Sequence, residues 1–406
     1  MVSSRSIIVV GGGTSGCTVV SYLASHTDCD ILLLEPGDIS HLDDEPRFFE
    51  TLKSESVLDS QANGYVQAKM LGGGSAINGM LLTGDEPPHL QGLTRMATQE
   101  DCGVVGDALL KNGGRFSRLW WNGGRWNPGR AVRHLQEEKR ITILPRSATE
   151  IIHRDGRIIG VDCNDEPITT DVVVMCAGAI TTPRILLASG LASVNPGIGQ
   201  GLQNHPTVTA HIPLRTTNGA RFDTSVIREW STSLDGQMMN IAYERSSHHG
   251  DQSGSLSVSL MNPSSRGTVG WDGEWLPVID FSLLHDDRDL RNMICGVRDV
   301  LEILTSPAMS EISMKDDVTI EGAPISLLQK ISDEELGQWL RQSVKFVSHA
   351  TSSCATAVDE WGRLRGVENC WVADASVLPS VPPCTPAAPV TMEALRIAHL
   401  IGESLS

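Results

Sequence analysis

The sequence predicts an α/β fold (α+β overall) in which a discontinuous Rossmann-like domain carries a smaller domain built on a sheet. The first observation is an apolar run at Ile7–Val10, a glycine-rich turn, a helical segment at 14–25 and a second apolar run at Ile31–Leu34. This is the βαβ pattern that opens a doubly wound sheet. The second is the alternation of polar and apolar residues within 207–345, in runs such as TVTAHIPL and SLSVSL, which is typical of a half-buried sheet.

The third observation is that the pattern of the first domain returns at the C-terminus. Residues 371–374 (WVAD) predict a buried strand, and residues 387–405 predict a helix. We therefore expect the first domain to comprise 1–206 and 346–406, and the second domain to comprise 207–345.

The remaining elements follow from local patterns. Helices are predicted at 103–111, at 131–138 and from about Arg288 to Leu304. Apolar runs separated by turn residues predict a β-meander that returns to a buried strand. These runs lie at 141–144, 148–154, 157–163 and 171–178. Residues 38–66 are acidic and irregular, and we assign no element to them.

Composition and charge exclude several classes of protein. Of 406 residues, 32 are Lys or Arg and 49 are Asp or Glu, so the formal net charge of −17 argues against nucleic-acid and anionic-membrane partners. No run approaches the ~18 apolar residues that span a bilayer, and MVSSRS leaves no room for a signal peptide before the first strand. The nine cysteines include no C-x-x-C pair, so we expect no disulfide framework, no metal site and a reducing, cytoplasmic location.

The turn after the first strand carries a dinucleotide-binding motif. In GGGTSG, Gly11 permits the tight turn, Gly13 lets the backbone approach a pyrophosphate, and Gly16 lets the helix pack on the strand. The helix N-terminus offers free N–H groups to the anion. Glu35 ends the second strand, where an acid binds ribose hydroxyls. The alternative is a plain βαβ turn with a solvated Glu35.

A second glycine-rich loop spans residues 68–80 (AKMLGGGSAINGM). Two such loops suit a ligand with two recognition regions, a pyrophosphate and an extended ring system. The alternative is a flexible linker, but Leu71, Ile77 and Met80 are apolar and indicate packing.

Four motifs in this order resemble those of the glucose–methanol–choline oxidoreductases, which are FAD enzymes. They are VVGGGTSG with Glu35, the loop KMLGGGSAINGM at 69–80, the run GAITTPRILLASGL at 178–191 with GIGQGLQNHP after it, and VADASVLP at 372–379 preceded by His349. The resemblance covers most of the chain and implies an FAD-dependent oxidoreductase that acts on CH–OH groups.

The resemblance also implies residue roles for binding FAD. Glu35 would bind the adenosine ribose, and Val390 would lie near the isoalloxazine ring. A backbone position near Thr149 or Glu150 would face the adenine. No histidine stands in the second loop, so FAD would be bound non-covalently. The implied cofactor-binding residues are Gly11, Gly13, Thr14, Ser15, Gly16, Glu35, Gly73, Gly74, Asn78, Thr149, Asp374, Ala375 and Val390.

The chemistry that the resemblance implies is hydride transfer from carbon to flavin N5, with a base that takes the hydroxyl proton. Histidine suits this role because its pKa lies near neutrality. His349, in SHATSSC, matches the histidine of the family motif and is the candidate base. His205, in QNHP, also matches a family motif and is interpreted as structural.

Two departures from the family pattern leave alternatives open. Thr385, the second candidate catalytic residue, stands where relatives carry a second histidine or asparagine, and threonine is no base near pH 7. Only 24 residues separate Asn78 from Gly103, where the family usually carries a lid. Either the tryptophans at 120, 121 and 126 or a homo-oligomer or partner subunit would then cover the flavin, although the tryptophans also suit a core. The alternatives to alcohol oxidation are a flavin-dependent lyase or specialised biosynthetic enzyme, and a non-catalytic flavin-binding subunit.

Overall fold

A computed structural model describes most of the chain. The described residues are 5–39, 58–60, 64–87, 90–245, 253–273, 276–314 and 317–405. Most of the irregular segment at 38–66 lies outside them.

The described residues form short strands and mostly short helices. The helices are α1 Thr14–His26, α2 Gly74–Ile77, α3 Val104–Lys111, α4 Gly129–Glu137, α5 Gly178–Ala188, α6 Asp287–Leu304, α7 Pro307–Ile312, α8 Ile325–Leu328, α9 Asp333–Ser343 and α10 Ala387–Leu405. The strands are β1 Ser6–Val10, β2 Asp30–Leu34, β3 Leu58–Ser60, β4 Val66–Ala68, β5 Leu81–Leu82, β6 Arg95–Met96, β7 Arg115–Phe116, β8 Arg118–Leu119, β9 Thr142–Leu144, β10 Glu150–Arg154, β11 Arg157–Asp162, β12 Pro167–Thr169, β13 Val172–Met175, β14 Gln200–Leu202, β15 Pro206–Pro213, β16 Val226–Ser231, β17 Gln237–Arg245, β18 Ser253–Leu260, β19 Gly267–Gly270, β20 Val278–Asp280, β21 Thr319–Ile320, β22 Ala323–Pro324, β23 Lys345–Phe346 and β24 Cys370–Val372.

A five-stranded parallel sheet forms the centre of the first unit, with the strand order β24-β13-β1-β2-β9. Its strands are continuous apolar runs because helices cover the sheet, and α1 packs against both α4 and α10. Val10 lies opposite Leu34 and Met175, so the carboxyl ends of the three central strands are level. The predicted Rossmann-like α/β fold is confirmed, including the return of the C-terminal strand and helix.

The predicted β-meander is also present. Strands β10, β11 and β12 form a three-stranded antiparallel sheet, and the chain then enters the parallel sheet as β13. The turn between β10 and β11 uses Asp155 and Gly156, both with positive φ.

The second unit is an eight-stranded sheet with the order β22-β21-β15-β18-β17-β16-β7, in which β23 also pairs with β15. Successive side chains of its long strands point to opposite faces of the sheet. Val208, Ala210 and Ile212 point into a core shared with α3, α6 and α9, while Thr207 and Thr209 line a cavity on the opposite face. The predicted sheet-based second domain is confirmed as an architecture.

The boundary between the two units differs from the predicted division at one segment, 104–116. Residues 104–116 were assigned to the first domain, but α3 packs against β16 and β17, and β7 pairs with β16. We propose the division 1–206 with 346–406 and 207–345, with the segment 104–116 assigned to the second unit.

The chain shows several further global features. All nine cysteines are free thiols. Within the ranges described above, no helix combines the length and the apolar character needed to cross a bilayer. The same residues contain no group of three His, Cys, Asp or Glu side chains placed to hold a metal ion.

Candidate active site

A continuous cavity of about 1020 Å³ lies between the carboxyl edge of the parallel sheet and the hydroxyl-rich face of the second sheet. Ligands of open α/β sheets bind at this edge, because the loops that leave the strands diverge there. Residues just after all five parallel strands line the cavity: Gly11, Glu35, Arg146, Ala177 and Asp374.

The two predicted glycine-rich loops touch each other at the cavity wall. The Gly72 N–H donates to the Gly12 carbonyl at 2.8 Å, and the Thr14 and Ser75 hydroxyls are 2.7 Å apart. Gly73 has φ +53°, and a Cβ there would lie 2.7 Å from the Gly13 Cα. Glycine is therefore required at this contact.

The helix α1 begins directly at the cavity because glycines allow a close crossing. Gly11 has φ +100°, and a Cβ on Gly16 would overlap the Gly11 carbonyl oxygen. Gly11, Gly13, Thr14 and Ser15 line the cavity, whereas Gly16 packs beneath the turn. The N-termini of α5 and α10 reach the same cavity through Gly178 and Ala387, so three helices present their positive ends to one space.

Glu35 lies at the end of β2 in the cavity wall. Its carboxylate accepts hydrogen bonds from the backbone N–H groups of Gly12 and Gly37, both at 2.8 Å. Burial raises the pKa of Glu35, and these two hydrogen bonds and Lys69 oppose the rise. Each carboxylate oxygen keeps a lone pair for a further donor, so the side chain can still accept from ribose hydroxyls.

Asp374 fixes the loops that follow two neighbouring strands. One oxygen accepts from the Gly178 N–H (2.8 Å) and the Thr182 hydroxyl (2.6 Å), and the other accepts from the Ser376 N–H (2.8 Å) and hydroxyl (2.6 Å). Burial raises the pKa of Asp374, against these four hydrogen bonds. The buried carboxylate thus holds the start of α5 against the turn after β24.

The roof of the cavity is unusually rich in hydroxyl groups. In the antiparallel pair of β15 and β18, Thr207 lies opposite Ser259 and Thr209 lies opposite Ser257. Ser255 and the Tyr243 phenol lie on the same face, and burial raises the pKa of that phenol to about 12. The wall that these two strands offer to a ligand is therefore polar and uncharged.

His349 and His205 form a hydrogen-bonded pair at the cavity wall. Their Nδ1 atoms are 2.9 Å apart and their rings are perpendicular, at an interplanar angle of 89°. The Nε2 atom of His205 is 3.1 Å from the Pro382 carbonyl oxygen. Burial lowers the pKa of both histidines, that of His205 to about 4 and that of His349 well below its ordinary value. Both rings are therefore neutral near pH 7.

Thr385 also lies in the cavity wall, but its hydroxyl is engaged with the backbone of the second loop's strand. The Thr385 hydroxyl donates to the Leu81 carbonyl at 2.8 Å, and the Thr385 N–H donates to the Thr83 hydroxyl at 2.9 Å. These bonds join the segment before α10 to β5. The catalytic role predicted for Thr385 stays a prediction, and its hydrogen bonds favour a clamp.

The cavity collects nearly all of the residues selected from the sequence. Those that line it are Gly11, Gly13, Thr14, Ser15, Glu35, Gly73, Gly74, Asn78, His349, Asp374, Ala375, Thr385 and Val390. Thr149 does not line it, because its N–H and hydroxyl turn to the Asp162 carbonyl and Arg146–Ala148 form the wall instead. The tryptophans Trp120 and Trp121 are buried in a core with Phe222, so the core interpretation of these residues is the correct one.

Sequence reasoning missed two groups at this site. Thr224 is buried and lines the cavity, and its hydroxyl has no hydrogen-bond partner among the described residues. The cavity-lining hydroxyls of β15 and β18 were visible only as an alternating pattern. That pattern could have located them, because alternate residues of one strand share a face.

The residues of the cavity fit a flavin dinucleotide. The wall combines a glycine cradle that a Cβ would fill, a carboxylate placed for ribose hydroxyls and the N-terminus of α1 for a pyrophosphate. The cavity then continues past Asn78 and Val390 to His349, where an extended ring would reach the hydroxyl-rich roof.

Comparisons with known proteins agree with this reading. The family models described as GMC oxidoreductase match residues 118–207 and 263–394, more than half of the chain together. Choline oxidase of Arthrobacter globiformis is 25% identical over 521 residues, which cover 97% of this chain and 93% of that protein. This chain has 406 residues, so at more than about 100 positions of the alignment choline oxidase has a residue and this chain has a gap.

Solved structures show the same fold. Pyridoxine 4-oxidase from Mesorbium loti superposes with a TM-score of 0.81 at 17% identity and covers 98% of this chain and 99% of its own. Formate oxidase from Aspergillus oryzae, studied for its FAD modification, gives a TM-score of 0.78 at 17% identity, with complete coverage of both chains. With the family matches, these results show that the chain belongs to the GMC oxidoreductase family and is an FAD-dependent oxidoreductase.

Proposed function

We propose that this protein oxidises a CH–OH group of a small, polar, uncharged molecule, with FAD bound non-covalently and His349 as the base. The observation that carries the proposal is the position of His349. Its imidazole lines the cavity where the nucleotide-binding wall meets the hydroxyl-rich roof.

The state of His349 suits a base. Burial lowers the pKa of His349, so the ring is neutral near pH 7 and one nitrogen carries a lone pair. A neutral imidazole at the cavity wall can take the proton of a substrate hydroxyl. Bound FAD would accept the hydride from the same carbon.

The roof supports a polar, uncharged substrate. Thr209, Ser255 and Ser257 offer hydroxyl groups that both donate and accept hydrogen bonds. Among the described lining residues, the acidic side chains are Glu35 and Asp374, and both belong to the nucleotide-binding wall. The roof therefore offers no carboxylate for a cationic group.

The second loop supports non-covalent FAD. Residues 68–80 contain no histidine, cysteine or tyrosine that could bond to the ring. Of the thiols, Cys176 lines the cavity, but burial raises its pKa well above the ordinary value, so it is no nucleophile near pH 7.

A second candidate function uses the same site without net oxidation, as in a flavin-dependent lyase. It is favoured by Thr385, whose hydroxyl proton is donated to the Leu81 carbonyl and is not offered to a substrate. A non-catalytic flavin-binding subunit is the third candidate, and no structural feature favours it.

Anaerobic flavin reduction tests the proposal. The FAD-loaded enzyme is mixed without oxygen with choline, pyridoxine, benzyl alcohol or glycerol, and the flavin absorbance is followed. We expect bleaching by a neutral alcohol, and His349→Ala should keep its FAD but bleach about 100- to 10,000-fold more slowly, as expected for loss of a general base.

The matched control is His153→Ala, which removes an exposed histidine that contacts only the Ser189 carbonyl. This variant should bleach at the wild-type rate. Wild-type rates in His349→Ala would contradict the role of His349. Product formation with flavin that stays oxidised throughout would favour the lyase.

A further inference from the structure

We propose that His205 is a positioning residue that fixes the proton of His349 on Nδ1 and leaves the Nε2 lone pair as the base. This inference rests on the proposed function, because it assigns the atom through which His349 acts.

The first step is the tautomer of His205. Its Nε2 atom is 3.1 Å from the Pro382 carbonyl oxygen, which can only accept a hydrogen bond. Nε2 of His205 must therefore carry a proton. Burial lowers the pKa of His205 to about 4, against backbone hydrogen bonds to Pro382 and Met261, so near pH 7 the ring is neutral and has a single N–H. Nδ1 of His205 is then an acceptor.

The second step determines which nitrogen of His349 carries the proton. The two Nδ1 atoms are 2.9 Å apart, so one of them must donate a proton to the other. Because Nδ1 of His205 is an acceptor, Nδ1 of His349 is the donor. Nε2 of a neutral His349 then has no proton, and this nitrogen is free to accept one from a substrate.

The third step is how the fold assembles the pair. Gln203 and Thr351 form an antiparallel bridge with two N–H···O bonds of 3.0 Å, which sets His205 opposite His349. The Gln203 side-chain oxygen also accepts from the Val381 N–H at 3.0 Å, next to Pro382. Gln203, which is buried, thus aligns both partners of His205 through its backbone and its side chain.

The proton balance of the step is simple. The substrate O–H bond breaks and an N–H bond forms at Nε2 of His349, while the carbon gives its hydride to the flavin. The resulting imidazolium carries protons on both nitrogens, and its Nδ1–H still donates to His205. A buried cation is costly unless a polar group faces it, so the His205 lone pair stabilises the product of proton transfer.

Two substitutions at position 205 separate the two contacts of the ring. The amide oxygen of Asn lies near the place of Nδ1, so His205→Asn keeps an acceptor for His349 and loses the contact with Pro382. The amide of Gln lies near the place of Nε2, so His205→Gln keeps a donor to Pro382 and loses the acceptor. Both residues are uncharged, and bound FAD per chain reports whether each variant folds.

The test combines NMR with anaerobic kinetics on FAD-loaded protein. Nitrogen-15 spectra of labelled histidine, assigned with His349→Ala and His205→Asn, should show wild-type His349 protonated on Nδ1 and bare on Nε2. With the fastest reductant among choline, pyridoxine, benzyl alcohol and glycerol, His205→Asn should reduce its flavin within about threefold of wild type. His205→Gln should be about 10- to 100-fold slower, because its His349 can place the proton on either nitrogen.

The outcomes distinguish this inference from the proposed function. A spectrum with the His349 proton on Nε2, or equal reduction rates for the Asn and Gln variants, would overturn the role of His205 while a slow His349→Ala still supports the base. Wild-type rates in His349→Ala would instead remove the proposed base itself.

Discussion

At the scale of single residues, Thr224 shows how the cavity wall is prepared for a ligand. Thr224 is 4% exposed and lines the cavity, yet its hydroxyl has no hydrogen-bond partner in the part of the chain that the structure describes. A buried hydroxyl without a hydrogen bond costs about 1–3 kcal/mol. The Thr224 methyl carbon would lie 3.2 Å from a Cβ placed on Gly79 of the second loop, so Thr224 lies beside that loop where it lines the cavity.

We expect Thr224→Val to weaken substrate binding without lowering the free energy of unfolding. Valine has the same shape but no hydroxyl, so the free energy of unfolding should stay equal or rise by up to about 1 kcal/mol. The KM for the reducing alcohol should rise about 5- to 10-fold, which corresponds to one lost hydrogen bond. Urea unfolding and steady-state kinetics measure the two effects. An unchanged KM would show that Thr224 does not bind the substrate.

At the scale of elements, the crossing of β1 and α1 determines whether the cofactor cradle can form. Gly16 packs on the Gly11 carbonyl so closely that any side chain at position 16 would overlap it. The cradle depends on this contact, because Gly11, Gly13 and Thr14 line the cavity from the same turn.

Gly16→Ala should therefore lose FAD. The added Cβ must push α1 away from β1, which moves the helix N-terminus from the place of the pyrophosphate. We expect at least about 10-fold weaker FAD binding, measured by fluorescence titration of the apoprotein. Gly402→Ala in α10 is the matched control, because a Cβ there meets only ordinary contacts at 3.6 Å or more. Equal FAD affinity of Gly16→Ala and Gly402→Ala would contradict the claim that FAD binding depends on the close crossing of β1 and α1.

The elements also show what can be predicted from the sequence. The βαβ start, the meander and α10 lie almost where the residue patterns place them, because each is specified by local apolar periodicity. His349 also lies in the cavity wall, but its selection rests on the resemblance of SHATSSC to a family motif and not on periodicity. These predictions needed only information from neighbouring residues.

The remaining features depend on contacts between distant segments. His205 is 144 positions from His349, and they are brought together by the bridge between Gln203 and Thr351 and by the pairing of β15 with β23. The sequence predicts only a structural role for His205, and its pairing with His349 is not visible in the motif QNHP. Strand β7 has two residues and no detectable pattern, so its place in the second sheet was not predictable. The same holds for the bond from Thr385 to Leu81, 304 positions away.

At the scale of the whole molecule, two sheets enclose a cavity that buries a pair of neutral histidines. Placing them there has a consequence for stability. The pKa of His205 in the folded protein is about 4, against an ordinary 6.5. Between these pH values His205 binds a proton in the unfolded chain but not in the folded chain. The contribution of His205 to the free energy of unfolding is therefore fully present above about pH 6.5 and is lost as the pH falls toward 4.

We expect the wild-type protein to lose about 2 kcal/mol of unfolding free energy through His205 between about pH 7.5 and about pH 5. His349 acts in the same direction, because burial lowers its pKa as well. Urea unfolding of wild type and of His205→Asn at both pH values measures the difference. If the loss on acidification is the same in both proteins, the folded His205 is not held neutral by its site.

The most direct test of the central claim is an experimental structure of the FAD-loaded enzyme. We expect the dinucleotide along the edge of the parallel sheet from Glu35 to Asp374, with the isoalloxazine ring between Val390 and the second loop. The Nε2 atom of His349 should face the ring, and its Nδ1 atom should remain bonded to His205. FAD bound elsewhere, or a His349 imidazole turned away from the ring, would contradict the account.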